Sequence, residues 1–465
     1  MSQSSKNTPI IQKDGIRQLL MEKTPFGFVY KNFFKRFTIV QSLVIWTWKR
    51  SFPTIMFLLV KLTKIALSFP IVGLATIARE RVELAAEEKV LTPVPEVYPK
   101  RLAIRCPSPH EAYIFPAIYR TEISNFRIRG ASNFLIGHDY IVHHDLFRAK
   151  YDYTSEELNG RMLISVRKKL ACIFSFSNSD EMPVDTIEEA AVFTDAVSQN
   201  YAHFMTEILP RIQMFVSGMQ SDMPLVIDAG LHTNLMAAIR LIVGKDRQLI
   251  KLATGQEILV KNLWVMSVCG YVPFERRPGT ESLAGHSQGV FSPVALLSMR
   301  DALRSSLQLS TEAHSTVAGG RKIFIRRNSG YRNVVNSQDI ENALVARGFE
   351  VVEPEKLTFA EQVALFSSAA VVVGATGAAF ANLIFCNPKT RIIIMIARMV
   401  NTSYYYWQNI ACACGNRVTY VLGEGKDAAL RSIHSDFCVS VEDVLSAIDA
   451  PEDIENTAIS RAITR

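Results

Sequence analysis

Residues 370–388, AVVVGATGAAFANLIFCNP, decide the fold. The apolar run Val371-Val372-Val373 reads as a buried parallel strand. It breaks at Gly374-Ala-Thr-Gly377, and small residues lead into an apolar helical run ending at Asn387-Pro388. Strand, glycine turn and helix start together present free backbone N–H groups and a positive dipole end to an anion. The G-x-x-G spacing matches neither the dinucleotide fingerprint nor a P-loop, because no Gly-Lys-Ser/Thr follows. The same glycines equally serve tight strand–helix packing.

Outward from that turn the pattern repeats. Upstream come a strand at 322–326, a helix at 337–347, a strand at 350–352 and a helix at 359–367, where Thr358 and Glu361 form a capping box. Downstream, 391–396 reads as a further buried strand, 404–412 as a helix, 419–422 as a last edge strand, and a terminal helix starts near Val441. An earlier series, with strands at 224–228 and 259–268, a helix at 234–243 and a helix from Ser292 to Leu307, predicts a second α/β unit. Short strand-like runs fill 101–175, and the proline-punctuated 92–99 reads as a linker after a helical, charged 80–90.

The N-terminal part differs in character. Between Lys23 and Arg79 there are nine Lys or Arg and no Asp or Glu, more than the net +7 of the whole chain. Basicity confined to one segment argues against a nucleic-acid groove on the folded body. Aromatics at helical spacing, Phe26 to Phe37, and apolar runs at 52–60 and 65–78 fit helices lying in a membrane interface. Neither run reaches the ~18–20 residues of a spanning helix. The alternative is a helical appendage packed on the body or on another subunit, a possible homo-oligomer contact. Seven cysteines without metal spacing read as buried thiols.

Two groups carry candidate chemistry. In NYAHFMTEILPR (200–211), Asn200 is placed to cap a helix, and His203, Glu207 and Arg211 then share one face. That stripe reads either as an exposed helix face with a Glu207–Arg211 ion pair or as a base, a carboxylate and a cation for an anionic group. At 322–330, KIFIRRNSG ends a strand in Arg326, Arg327 and Asn328, where open α/β sheets bind ligands. Guanidinium groups there suit a diphosphate. His143 and His144, adjacent on a strand, are expected on opposite faces and so do not ligate one metal.

These motifs, with GFEVVEPEKLTFAEQVALFSSAAVVVGATGAAFANLIFCNP (348–388), resemble glycosyltransferase family 61 over roughly residues 100–440. The resemblance implies a GT-B-like α/β fold of two Rossmann-like domains facing a cleft. The domains follow as 1–95 (helical membrane-associating segment and linker), 96–290 (acceptor side) and 291–465 (nucleotide-sugar side). It implies an inverting, metal-independent transferase without a cofactor. Arg326, the Gly374–Gly377 turn and Asn382 would hold the donor diphosphate, while His203, Glu207 and Arg211 face the cleft. Family members carry histidine where this chain has Thr376. Donor-side residues are therefore Arg326, Arg327, Asn328, Gly374, Thr376, Gly377 and Asn382. His203 is the favoured base, with Glu207 orienting it or serving as base itself, and Asn200 and Arg211 contact substrate. The expected partners are a nucleotide-sugar donor and a glycan or lipid-linked acceptor. The expected setting is the cytoplasmic face of a membrane, in surface-polysaccharide synthesis. Two other classes fit the same residues: a non-catalytic nucleotide-sugar or glycan-binding component, and a sugar-nucleotide epimerase.

Overall fold

The computed structural model describes residues 71–102, 111–138, 140–148, 152–153, 185–219, 221–273, 275–276, 289–309, 320–327, 332–398, 404–425 and 435–451. The basic segment up to residue 70, the strand-like runs at 160–176 and Asn328 lie outside these. Among the described residues no helix is long and apolar enough to cross a membrane.

The chain is a mixed α/β protein built on two large sheets. The first contains β1 (Ile118–Arg129), β2 (Asp185–Val192), β3 (Leu225–Asp228), β4 (Leu249–Leu252) and β5 (Glu257–Met266). Their spatial order is β1-β5-β2-β3-β4, with β1 antiparallel to β5 and the other pairs parallel. The short strands Leu135–Ile136, Ile141–His143 and Ile71–Gly73 extend the sheet beyond β1.

The second sheet contains β6 (Arg321–Ile325), β7 (Glu350–Val352), β8 (Ala369–Ala375), β9 (Arg391–Ala397) and β10 (Val418–Gly425). Their order β7-β6-β8-β9-β10 is parallel throughout. Alternation along these strands feeds two apolar layers. Ile323, Ile325, Val372, Ile392 and Ile394 enter one core, while Phe324, Val373, Ile393 and Met395 enter the other. A strand apolar on both faces must be covered on both faces, which is why these runs read as continuous hydrophobic stretches.

Helices supply that cover. Residues Tyr201–His203, a π turn at Phe204–Ile208 and Leu209–Ser217 form one helix, α1. It is followed by α2 (Thr233–Val243), α3 (Pro293–Ser306), α4 (Ser337–Val345), α5 (Phe359–Ser367), α6 (Tyr405–Ala413) and α7 (Val441–Asp449). α4 and α7 cover the outer face of the second sheet through Ile340, Leu344, Val444 and Ala447. α1, α2, α3, α5, α6 and the 3₁₀ segment Ala378–Phe385 share one continuous core lying between the sheets. Starts are capped as the sequence indicates: Ser292 accepts from Ala295 N–H, and the Thr358–Glu361 capping box is complete.

Several elements differ from the sequence reading. Residues 80–91 form strands, Val82–Ala85 on β1 and Glu88–Leu91 on Ala112–Phe115, rather than a helix. Cross-strand partners distant in sequence outweigh the local pattern there. The proline-rich 92–99 contains Glu96–Tyr98, which adds to β10 of the second sheet, so β10 is not an edge. Ile71–Gly73 and Leu74, the end of the run read as an interfacial helix, belong to the body: the strand pairs with Ile141–His143 and Leu74 is buried.

Candidate active site

The second sheet has its strands in the spatial order 2-1-3-4-5, taken in chain sequence, so its direction of winding reverses between β6 and β8. Ligands in open α/β sheets bind outside the carboxyl ends of the strands at such a reversal. β6 delivers Arg326 and Arg327 to that point, and β8 delivers Gly374 to Gly377. The two arginines, just past the end of β6, go different ways. Arg326 turns to the outer layer, where Nε and Nη2 donate to the two oxygens of Glu341 (2.8 and 2.5 Å) and Nη1 donates to Glu353 (3.2 Å). These ion pairs hold the Arg326 guanidinium between Glu341 and Glu353. Arg327 instead lies against Gly377, where any Cβ would collide with its guanidinium. Gly374 is needed for packing, since a Cβ there would approach Ile325 Cβ to 2.9 Å.

Two other donor-side residues are already engaged. Thr376 is buried, with Oγ1 accepting from Trp407 Nε1 at 3.0 Å. Asn382 is fully buried: Oδ1 accepts the Tyr201 hydroxyl at 2.6 Å and Nδ2 donates to Gln362 Oε1 at 2.8 Å. Asn382 therefore does not hold a diphosphate. It fastens the start of α1 to the 3₁₀ segment behind the glycine turn, and so joins the two sheets. Asn200 is the N-cap of α1, accepting from Ala202 N–H at 3.0 Å, and that is the role the structure shows for it.

The other half of the site is on α1. Pro210 has no N–H to return to the Thr206 carbonyl, and the helix widens into a π turn over Phe204–Ile208, closed by Leu209 N–H to Phe204 O. His203 immediately precedes that widening and Glu207 lies within it. His203 Nδ1 and Glu207 Oε1 are 2.5 Å apart, and Glu207 Oε2 accepts from Val272 N–H at 3.2 Å. Arg211, one turn on, does not pair with the Glu207 carboxylate. Its Nε donates to the Glu207 carbonyl at 3.1 Å, and its nearest carboxylate is Asp195, 3.8 Å from Nη2. The stripe is not an exposed face: His203, Glu207 and Arg211 line one cavity with Asp195, His143 and His144.

Burial alone would depress the His203 pKa, but the Glu207 carboxylate and, behind it, Asp195 raise it above 6.5. Asp195 is itself held high by burial, against the pull of Arg211. Its backbone N–H donates to Asp228 Oδ2 at 2.8 Å, which seats it at the cavity wall. Burial lifts the Asp228 carboxyl to about 6.

His143 and His144 both line the cavity, contrary to the expectation of opposite faces. The strand ends at His143, so alternation stops there, and the rings stand 4.1 Å apart edge to face. Among the described residues no three His, Cys, Asp or Glu side chains converge as a metal site. Asp195 and Tyr201 were not singled out from the sequence. Asp195 had a usable signal, its place just beyond the carboxyl end of a buried parallel strand.

The dyad at the mouth of one sheet is bound through Tyr201 and Asn382 to the glycine turn at the switch point of the other. The glycosyltransferase 61 family model matches residues 201–393, from the first residue of α1 into β9. That span holds both halves of the site, and the match supports a glycosyltransferase of family 61. Among curated proteins no match was found.

Proposed function

We propose an inverting, metal-independent transfer of a sugar from a nucleotide-sugar donor to a glycan or lipid-linked acceptor. The arrangement read here is GT-B-like, with β6–β10 as the donor side and β1–β5 as the acceptor side. The observation that carries it is the His203–Glu207 dyad, tied by the Tyr201–Asn382 bond to the switch-point turn. Glu207 fixes Nδ1, so His203 Nε2 takes the acceptor hydroxyl proton as that oxygen attacks the anomeric carbon. The bond from that carbon to the diphosphate oxygen breaks on the opposite side. Arg327 and the backbone around Gly377 stabilise the departing nucleoside diphosphate. The basic residues 23–79 support a peripheral place on the cytoplasmic face of a membrane, in surface-polysaccharide synthesis.

The donor half is tested by calorimetry with nucleoside diphosphates on full-length protein. Arg327→Ala is expected to weaken binding by roughly 1.5–3 kcal/mol, the scale of a charge-assisted hydrogen bond. Arg326→Ala should bind as wild type does, because Glu341 and Glu353 already use that guanidinium. The reverse ranking overturns the assignment.

The base has a pH signature. A histidine raised above 6.5 is protonated, and inactive as a base, until the pH passes its shifted value. The acid limb of kcat/KM should therefore lie above 6.5. Glu207→Gln removes the largest raising influence and leaves burial to dominate, so its limb should move to lower pH. Identical limbs in both proteins would rule out the dyad as the titrating unit.

A further inference from the structure

His143 and His144 form the cavity wall beside Arg211, and their hydrogen bonds fix their tautomers. His143 Nδ1 accepts the backbone N–H of His144 at 2.8 Å, and His144 Nδ1 accepts that of Phe147 at 3.2 Å. A neutral imidazole whose Nδ1 accepts carries its proton on Nε2. Burial keeps both rings neutral, reinforced by the charge of Arg211: His143 falls to about 3, and His144 lies well below the ordinary histidine value. Each ring therefore offers one N–H donor.

Arg211 adds a third donor. Its Nη2 is buried and makes no hydrogen bond, and Asp195 at 3.8 Å is beyond hydrogen-bond reach. Unpaired buried donors are unfavourable, so the chemistry missing from this wall is an oxygen acceptor. The wall also has apolar area: Phe147 stacks on His143 with centroids 4.5 Å apart, and Tyr271 meets His144 at 4.6 Å. Donors set in an aromatic wall suit a sugar ring with an anionic substituent. Asp195 and Glu207 line the same cavity, and their charge disfavours a phosphate dianion beside a single guanidinium.

We propose that the cavity takes an acceptor sugar bearing a carboxylate, a uronic-acid-type unit. Its carboxylate accepts from Arg211, His143 and His144, and its reacting hydroxyl lies toward His203. This rests on the transferase reading above, with the cavity as the acceptor side.

The test is ligand-observed NMR titration of full-length protein with methyl β-D-glucuronide and methyl β-D-glucoside, which differ only in the carboxylate. Wild type should bind the glucuronide at least about tenfold more tightly, the scale of one charge-assisted hydrogen bond. Arg211→Gln should abolish that preference, and Arg211→Lys, which keeps the charge, should retain part of it. Circular dichroism and nucleoside-diphosphate affinity show that each variant is folded. His144→Gln provides a second route to the same answer and should reduce the preference without removing Arg211. Equal binding of the two glycosides, no binding of either, or a preference that survives Arg211→Gln overturns the proposal. His203→Ala separates the two readings: normal sugar transfer in that variant, with the glucuronide preference intact, removes the base but not the carboxylate subsite.

Discussion

His203→Ala should lower the turnover number of sugar transfer by ~10²–10⁴, the usual contribution of a general base. Nucleoside-diphosphate affinity should barely change, because the donor diphosphate is assigned to Arg327 and the glycine turn. The expectation rests on geometry. Glu207 Oε1 at 2.5 Å occupies Nδ1, and Glu207 is itself held by Val272 N–H, so the ring has one orientation and one available nitrogen. Glu207→Gln keeps the shape but loses the charge that raises the imidazole pKa, and should lower turnover less than the histidine change. Single-turnover measurements with saturating donor separate this from altered binding. If Glu207→Gln abolishes transfer while His203→Asn retains most of it, the carboxylate is the base and the imidazole positions it. Normal turnover in both variants would leave the dyad without a catalytic role.

How far this site can be read from the chain depends on the range of the interactions that build it. The second sheet is legible because its strands are apolar on both faces and its helix starts are marked by local chemistry, such as Ser292 and the Thr358–Glu361 box. The stripe of His203, Glu207 and Arg211 is legible because a helix face is a matter of spacing. The choice between ion pair and dyad is not, because Pro210 widens the helix and Arg211 then meets the Glu207 carbonyl instead of its carboxylate.

The same limit governs the arginines. Arg326 and Arg327 are adjacent in sequence, and only the arrival of Glu341 from α4 and of Glu353 beyond β7 separates their roles. Residues 82–91 mislead for a related reason. Their charged pattern suits a helix, and the strands that capture them lie at 112–120. Asn382, the lone amide in the apolar run Ala378–Phe385, reads from the sequence as a donor ligand, because sequence alone does not show the Tyr201 hydroxyl and Gln362 that meet it in the core.

That amide carries the other large effect. Asn382→Ala should destabilise the fold by ~3–5 kcal/mol. It leaves the Tyr201 hydroxyl and the Gln362 carbonyl oxygen without a partner in the interior, and opens a void where the amide stood. Gln362 is in turn fixed by donating to the carbonyls of Pro354 (2.9 Å) and Leu357 (3.2 Å), so it cannot swing away to find another partner. The loss is a large share of the 5–15 kcal/mol that holds a typical domain. Tyr201→Phe removes only one bond of the chain and should cost about 1–3 kcal/mol. Urea unfolding of the two single variants and the double variant gives the coupling directly. The two losses should fall short of additivity by about 0.5–3 kcal/mol, since the second change removes a partner already lost. The bond spans the start of α1 and the segment behind the donor turn, so the same variants should also lower turnover through misplacement of His203 relative to the departing diphosphate. An Asn382→Ala protein within about 0.5 kcal/mol of wild type, the range of an ordinary surface change, would mean that this bond contributes little to holding the two sheets together.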